Sequence, residues 1–455
     1  MLSILEVCFM PVYFRKHSIF GALLLALVML SSCSPFATQN SKPTPAVSPT
    51  STAYAWQSCN ATNCPPISTI PGVRPFPNTW DNIHLFQTFT FNLDDPTIKR
   101  MAGAYDFVWG AQPETVAAFR AANPHILLSY YMPLNRDHGT FDNNDLGREH
   151  DLAYWKAFHP DWILYKCDRV TPARQFSDPN LSLDFSNPDV INWQLQMYAI
   201  PASKAGYDVL GVDNLNLDNM FGACGFYRNG QWVQRYSGQP SDPQYHADLL
   251  NWVTEMQKAL HALPHPMALI PNLGYGLVAP SPNDPYIQQL IQHTDGILDE
   301  GAFTFYGQNY IMDSNWVKLV QFIQAVQQQN KPYYILDEFP RPAIHNDQLE
   351  WALSSYLMCK DQLSAIFLAT WQEYGADNRL PQYTVHIGNP KGAMYWAQGV
   401  YWRSYSGGTV IVNPSSNFSY TIMLNSPGYV DLFGHPVAQT LTLPAHSGIV
   451  LLSAR

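Results

Sequence analysis

Charge is scarce in this chain. Lys, Arg, Asp and Glu make up 13% of its 455 residues, against about 25% in ordinary soluble domains, so Asn, Gln, Ser, Thr and Tyr must supply much of the surface polarity. The balance is acidic, with a net charge of −10, and no dense run of Lys and Arg occurs. That argues against a nucleic-acid partner. The apolar run at 19–30 is shorter than the ~20 residues that cross a bilayer as a helix. There is no Gly-x-Ser-x-Gly elbow, no Walker loop and no His-Glu-x-x-His. The 14 histidines are scattered and never form His-x-His, and no cysteines have metal-site spacing, so neither a metal nor a cofactor is expected. His84 is read as a satisfied core histidine. Gly274-Tyr275-Gly276-Leu277-Val278-Ala279 matches a nucleotide-binding fingerprint in letters. That fingerprint must open a helix, and Pro280 and Pro282 break any helix here, leaving a loop after a strand in which Asn272 faces a cleft.

Export comes from the first fifty residues. Arg15-Lys16-His17 precedes the apolar run, and Leu30-Ser31-Ser32-Cys33 follows it; a basic flank, a short apolar core and small residues describe a secretory signal. The last four residues resemble the bacterial lipobox. That resemblance implies that 1–32 are removed, that Cys33 is lipidated, and that the protein is anchored to the outer face of a bacterial membrane. The stretch 33–54 is rich in Ser, Thr and Pro, cannot bury enough apolar surface to fold, and reads as a tether. In an oxidising compartment Cys59 and Cys64 can close a small loop and Cys167 and Cys224 can pair. Cys359, in an apolar helical stretch, reads as a buried free thiol.

Aromatics reach 14%, and many stand beside Asn, Asp or Gln. Such rings pack cores, and they also give sugar rings a surface to stack on. From residue 80 to about 375, short apolar runs alternate with helix-like segments. The candidate strands are 83–89, 105–109, 126–131, 209–213, 267–272, 296–300, 333–338 and 365–371. Asn187-Pro188 reads as a helix start, and 247–263 and 316–328 have helical periodicity. Eight strands with intervening helices suit a (β/α)8 TIM barrel, here spanning 55–390, with a doubly wound sheet as the competing α/β fold. The interval 132–207 is its main insertion, and Trp155, Trp162 and Tyr165 in it are expected to wall the cleft. The texture changes after Trp371, and 391–455 reads as a small C-terminal antiparallel β-sandwich.

Catalytic side chains in such barrels come from the C-terminal ends of strands. Period 2 places Val209, Gly211 and Asp213 on one face of the fourth strand, Leu298 and Glu300 on one face of the sixth, and Leu336 and Glu338 on one face of the seventh. Asp299 lies beside Glu300, and Trp371-Gln372-Glu373 adds a ring and an acid past the eighth strand. One carboxylate ending a strand is usually a cap or a salt bridge; several together are costly unless function or a cation requires them. Glycoside hydrolysis needs two carboxyl groups flanking the bond. Trp109, Tyr131, Trp371 and Tyr374 sit at or just beyond strand ends as stacking candidates, with Asn272, Asp299, Glu338 and Glu373 as further substrate-binding candidates.

The segments Leu183-Asp184-Phe185-Ser186-Asn187-Pro188, 206–214 and 295–300 resemble the TIM-barrel group called hypothetical glycosyl hydrolase family 15, similar in layout to melibiase-like and polygalactosaminidase-like barrels. The resemblance implies Asp213 as nucleophile and Glu300 as proton donor, with Asp299 able to take the second role. It also implies a carbohydrate substrate, and the melibiase-like layout suggests α-linkage. A retaining mechanism is expected, subject to the carboxyl separation. The competing reading is a surface glycan-binding lipoprotein on a barrel without catalysis, which would not need two converging carboxyls. Oligomeric state is not legible.

Overall fold

The computed structural model describes residues 70–79, 83–90, 93–134, 152–174, 181–305, 310–339, 343–370 and 379–453. The lipobox cysteine Cys33, the tether, Cys59, Cys64, Trp371, Gln372, Glu373 and Tyr374 lie outside the described residues.

Eight strands form one parallel sheet in chain order. They are β1 (Phe86–Thr88), β2 (Phe107–Trp109), β3 (Leu127–Pro133), β4 (Val209–Asn216), β5 (Ala268–Gly274), β6 (Ile297–Glu300), β7 (Tyr333–Phe339) and β8 (Ser364–Thr370). A parallel bridge between Leu85 and Ile366 closes the sheet into a barrel, with Ile366 N donating to His84 O at 2.9 Å. Both faces of each strand are covered, which is why these segments read as short continuous apolar runs. Phe86, Phe107, Val209, Ile270, Leu298, Tyr334 and Phe367 fill the lumen.

Helices follow the strands: α1 (Asp95–Ala102), α2 (Pro113–Ala122), α3, α4 (Pro243–His261), α5 (Pro285–Gln292), α6 (Asp313–Gln327) and α7 (Asn346–Cys359). Here α3 is Pro188–Gln194 running through a π-helical turn, Leu195–Ala199, into Ile200–Lys204. An Asx residue followed by proline starts α3, α4 and α5. Asn187, Asp242 and Asp284 accept backbone N–H groups of the first turn, and the next residue, proline, has no N–H to leave unsatisfied. The Gly274–Ala279 match is no nucleotide loop, since Tyr275 onward is turn rather than helix.

The N-terminal ends of the strands are tied by ion pairs. Asp208, just before β4, accepts from Leu128 N at 3.0 Å and pairs with both Arg74 and Arg120. Asp295, before β6, accepts from Leu269 N, Gln257 and His261, each at 2.8 Å. His84 pairs with Asp106 at the same end rather than sitting in the core.

Trp155, Trp162 and Tyr165 do not wall the cleft. They pack with Leu181, Leu183 and Val190 into a separate cluster, because an excursion this long needs its own apolar centre. A small sheet of Tyr165–Lys166, Ala223–Arg228 and Gln231–Gln234 belongs to it, and Cys167 and Cys224 are joined there with their Cα atoms 5.0 Å apart. Cys359 is a buried free thiol.

The C-terminal strands are β9 (Tyr395–Ala397), β10 (Val400–Tyr405), β11 (Gly408–Asn413), β12 (Tyr420–Met423), β13 (Tyr429–Val430), β14 (Thr440–Leu443) and β15 (Ser447–Ser453). They form a sheet ordered β9-β10-β11-β15-β13 and a β12-β14 pair, packed over Val400, Trp402, Ile411, Ile422 and Leu451. Arg403, fully buried, joins this sandwich to the barrel. Its Nη1 donates to the carbonyls of Leu357 (2.9 Å), Met358 (3.1 Å) and Lys360 (2.6 Å), at the end of α7 where carbonyls lack helical partners. Its Nη2 reaches Asp361 at 2.9 Å.

Candidate active site

The end of β4 is irregular, and that irregularity aims Asp213. Val212 pairs with Pro271 and Leu215 with Leu273, so Asp213 and Asn214 together face Asn272 alone. Such a β-bulge bends the strand and re-aims a side chain. Asn214 takes the left-handed conformation, φ 59°, which Asn tolerates better than most residues. Upstream, Gly211 faces the lumen with Val209; a Cβ there would lie 3.0 Å from the Trp109 ring. The missing side chain is what lets Trp109 lie across the barrel beneath Asp213.

Among the described residues, the donors that hold Asp213 are all neutral. Tyr131 Oη donates to Oδ2 at 2.6 Å and Asn214 Nδ2 to Oδ2 at 2.8 Å; Asn214 N reaches Oδ1 at 2.8 Å. Asn272 Nδ2 donates to Asp213 Oδ1 at 2.9 Å and to Glu300 Oε2 at 2.8 Å. One nitrogen within reach of both keeps those two oxygens no more than about 6 Å apart, nearer the ~5–5.5 Å of a retaining pair than the ~6.5–9.5 Å that leaves room for a water between carboxyls. Asp213, Asn272 and Glu300 line a cavity of about 200 Å³ with Thr88, Phe89, Trp109, Tyr131, Leu298 and Leu336. Three of the non-glycine residues with positive φ stand at this mouth: Phe89 (50°) after β1, Asn214 (59°) and Phe305 (42°) after β6. Backbone strain of this kind concentrates at functional sites.

Of the sequence candidates, Asp213, Glu300, Asn272, Tyr131 and Trp109 therefore share one cavity. Asp299 points elsewhere, as the alternation along β6 requires. It is buried, and Tyr333 Oη donates to its Oδ2 at 2.7 Å alongside Tyr275 Oη; burial raises its pKa to about 6. Glu338 is buried at the end of β7 with its N–H donating to Thr304 Oγ1 at 3.2 Å, and it is not among the cavity residues. Trp371 and Glu373 fall outside the described residues. Thr88, Phe89 and Asn214 were not singled out from sequence; nothing in their neighbours marks them, since the first two depend on where β1 ends and the third on the bulge.

Asp337, on the opposite face of β7 from Glu338, is fully buried. Its Oδ1 accepts from Phe303 N (2.8 Å), Thr304 N (3.1 Å) and Thr304 Oγ1 (3.1 Å), fixing the loop after β6. Among the described residues, no group of three or more His, Cys, Asp and Glu could hold a metal ion.

No protein-family model matches this chain, and no curated protein matches it. Solved structures overlap it distantly. The glycoside hydrolase domain of PelA from Pseudomonas aeruginosa is 14% identical, covering 64% of this chain and 95% of that one, with a TM-score of 0.40. A noncanonic maltogenic α-amylase, AmyB, from Thermotoga neapolitana is 12% identical over 82% of this chain and 99% of that one, at 0.45. An α-amylase from Malbranchea cinnamomea is 12% identical over 82% and 97%, at 0.42. Likeness this distant says nothing of what the chain acts on, and the barrel stands on its own strand pairing.

Burial raises the Asp337 carboxyl from the usual 3.8 to about 7. At this group the folded protein therefore keeps a proton that the unfolded chain loses above about pH 4, so the contribution of Asp337 to stability falls as pH rises from there to about 7 and then levels. Asp337→Asn keeps the Oδ1 acceptor and cannot ionise. Its urea midpoint relative to wild type should rise between pH 4 and pH 8; a pH-independent difference would show that Asp337 is not held protonated by burial.

Proposed function

We propose that this chain is a glycoside hydrolase in which Asp213 attacks the anomeric carbon and Glu300 protonates the departing oxygen. The observation that carries it is the single Asn272 amide reaching both carboxylates. Tyr131 and Asn214 fix Asp213, so the attacking oxygen need not reorganise. In the first step the bond from Asp213 to the anomeric carbon forms, the glycosidic C–O bond breaks, and Glu300 gives its proton to the leaving oxygen. In the second, Glu300 takes a proton from water as that water displaces Asp213. The close spacing supports this retaining course, since inversion needs a water between the carboxyls. Trp109, Tyr131 and Phe89 offer ring faces to the sugar. The substrate is taken to be an oligo- or polysaccharide, α-linked by the likeness to melibiase-like barrels. A non-catalytic glycan binder has no use for converging carboxyls, and the shared amide counts against it.

The enzyme is further proposed to act at the cell surface, held by lipid on Cys33. Labelled fatty acid should enter the wild-type protein and not Cys33→Ala; label that survives the substitution ends the anchor reading.

On a polysaccharide that the wild type cleaves, Asp213→Asn should abolish turnover, and Glu300→Gln should lower kcat by roughly 10²–10⁴-fold. Asn272→Ala should cost about 10²–10³-fold, the usual loss for one positioned donor. Thermal melts should stay near wild type. An Asp213→Asn protein that keeps most of its activity would remove Asp213 as nucleophile.

A further inference from the structure

The lumen cavity has two unlike walls. Strands in chain order, closed by the bridge between Leu85 and Ile366, place β1 across the barrel from β5. The acid pair, Asn272 and Tyr131 therefore occupy one arc, from β3 to β6, and the opposite arc presents Thr88, Phe89, Trp109 and Leu336.

Period 2 along β1 turns Thr88 to the lumen with Phe86, and Thr88 is 3% exposed. Its backbone N–H donates to Gln87 Oε1 at 2.8 Å, but among the described residues its Oγ1 has no hydrogen-bond partner. Buried hydroxyls are ordinarily paired within the fold. The next residue pins the end of β1. Phe89 takes φ 50°, which a bulky side chain rarely adopts, and its N–H donates to Trp109 O at 2.6 Å. Its ring lies over Gly110, where a Cβ would meet it at 2.6 Å, and against the Tyr131 ring with centroids 5.3 Å apart. The fold thus holds an unused hydroxyl in a fixed place on the wall facing the carboxyl groups.

We propose that Thr88 Oγ1 bonds the oxygen at C4 of the sugar whose anomeric carbon meets Asp213, and that this bond sets which sugar the cavity accepts. The inference rests on the hydrolase reading of Asp213 and Glu300. In a six-membered sugar ring C4 stands opposite C1, so a ring with C1 at the acid pair carries C4 toward β1. Phe89, Trp109 and Leu336 offer apolar surface there, and Thr88 supplies the one hydroxyl of that wall among the described residues. A sugar hydroxyl buried against apolar groups without a partner is costly. A site built to bond a substrate hydroxyl rejects the analogue that lacks it, because the protein group is left unpaired.

The probes are the 4-nitrophenyl α- and β-glycosides of glucose, of galactose, and of the 4-deoxy sugar that both become when that hydroxyl is removed. Binding to the Asp213→Asn protein is measured by calorimetry. At least one hydroxylated glycoside should bind about tenfold or more tightly than the 4-deoxy form of the same anomer. In that background Thr88→Val, alike in shape but without the hydroxyl, should remove the preference, and Thr88→Ser should restore it. Both should melt near Asp213→Asn itself, since Oγ1 holds no described protein group. If Thr88→Val does not fold, Thr88→Ala takes its place. Equal affinity for hydroxylated and 4-deoxy forms, binding of none of them, or a preference that outlasts loss of the Thr88 hydroxyl overturns the proposal. Turnover of these glycosides and of polysaccharides by the wild type is followed in parallel. Turnover lost in Asp213→Asn, with no C4 preference, overturns the role of Thr88 and leaves the hydrolase reading. A C4 preference that Thr88→Val removes, without any turnover, overturns the hydrolase reading and keeps Thr88 as a binding residue.

Discussion

One amide nitrogen, Asn272 Nδ2, donates to two carboxyl groups on the strands that flank its own, and the mouth of the barrel is arranged around that bond pair. The arrangement requires β5 to place Asn272 beside Glu300 and β4 to bulge so that Asp213 reaches the same nitrogen. It also requires Gly211, because a side chain there would meet the Trp109 ring below. Among the described residues the donors to Asp213 are all neutral: a phenol, two side-chain amides and a backbone N–H.

The two ends of the barrel treat acid groups differently. Asp208 and Asp295, at the N-terminal end, meet arginine or histidine and tie adjacent strands through backbone N–H groups. Such pairs hold the sheet. At the C-terminal end Asp213 has neutral donors, while Asp299 and Asp337 are buried far enough to raise their proton affinity. That division follows the general separation of stability and function between the two ends of this fold. Arg403 extends the stabilising set by closing the exposed carbonyls of α7 from within the sandwich.

Much of this was legible in the sequence because parallel strands buried on both faces read as short apolar runs. All eight runs hold a barrel strand. Period 2 separated Glu300 from Asp299, and the structure turns the one to the lumen and the other to the two tyrosines. The Asn187-Pro188 start was legible because a cap is a local device. The bulge at Asp213 was not, since it exists only in the register between β4 and β5. The tryptophans of the excursion misled for a related reason: an aromatic beside polar residues looks the same whether it lines a cleft or fills a satellite core.

The central claim is that Asp213 and Glu300 work as a close pair through a covalent glycosyl intermediate. It is tested most directly by the anomeric configuration of the first product, read by proton NMR before mutarotation on any polysaccharide the enzyme cleaves. Two carboxyl groups within reach of one amide nitrogen predict that the product keeps the configuration of the bond cleaved. A product of opposite configuration would require a water between the carboxyls and would contradict the account.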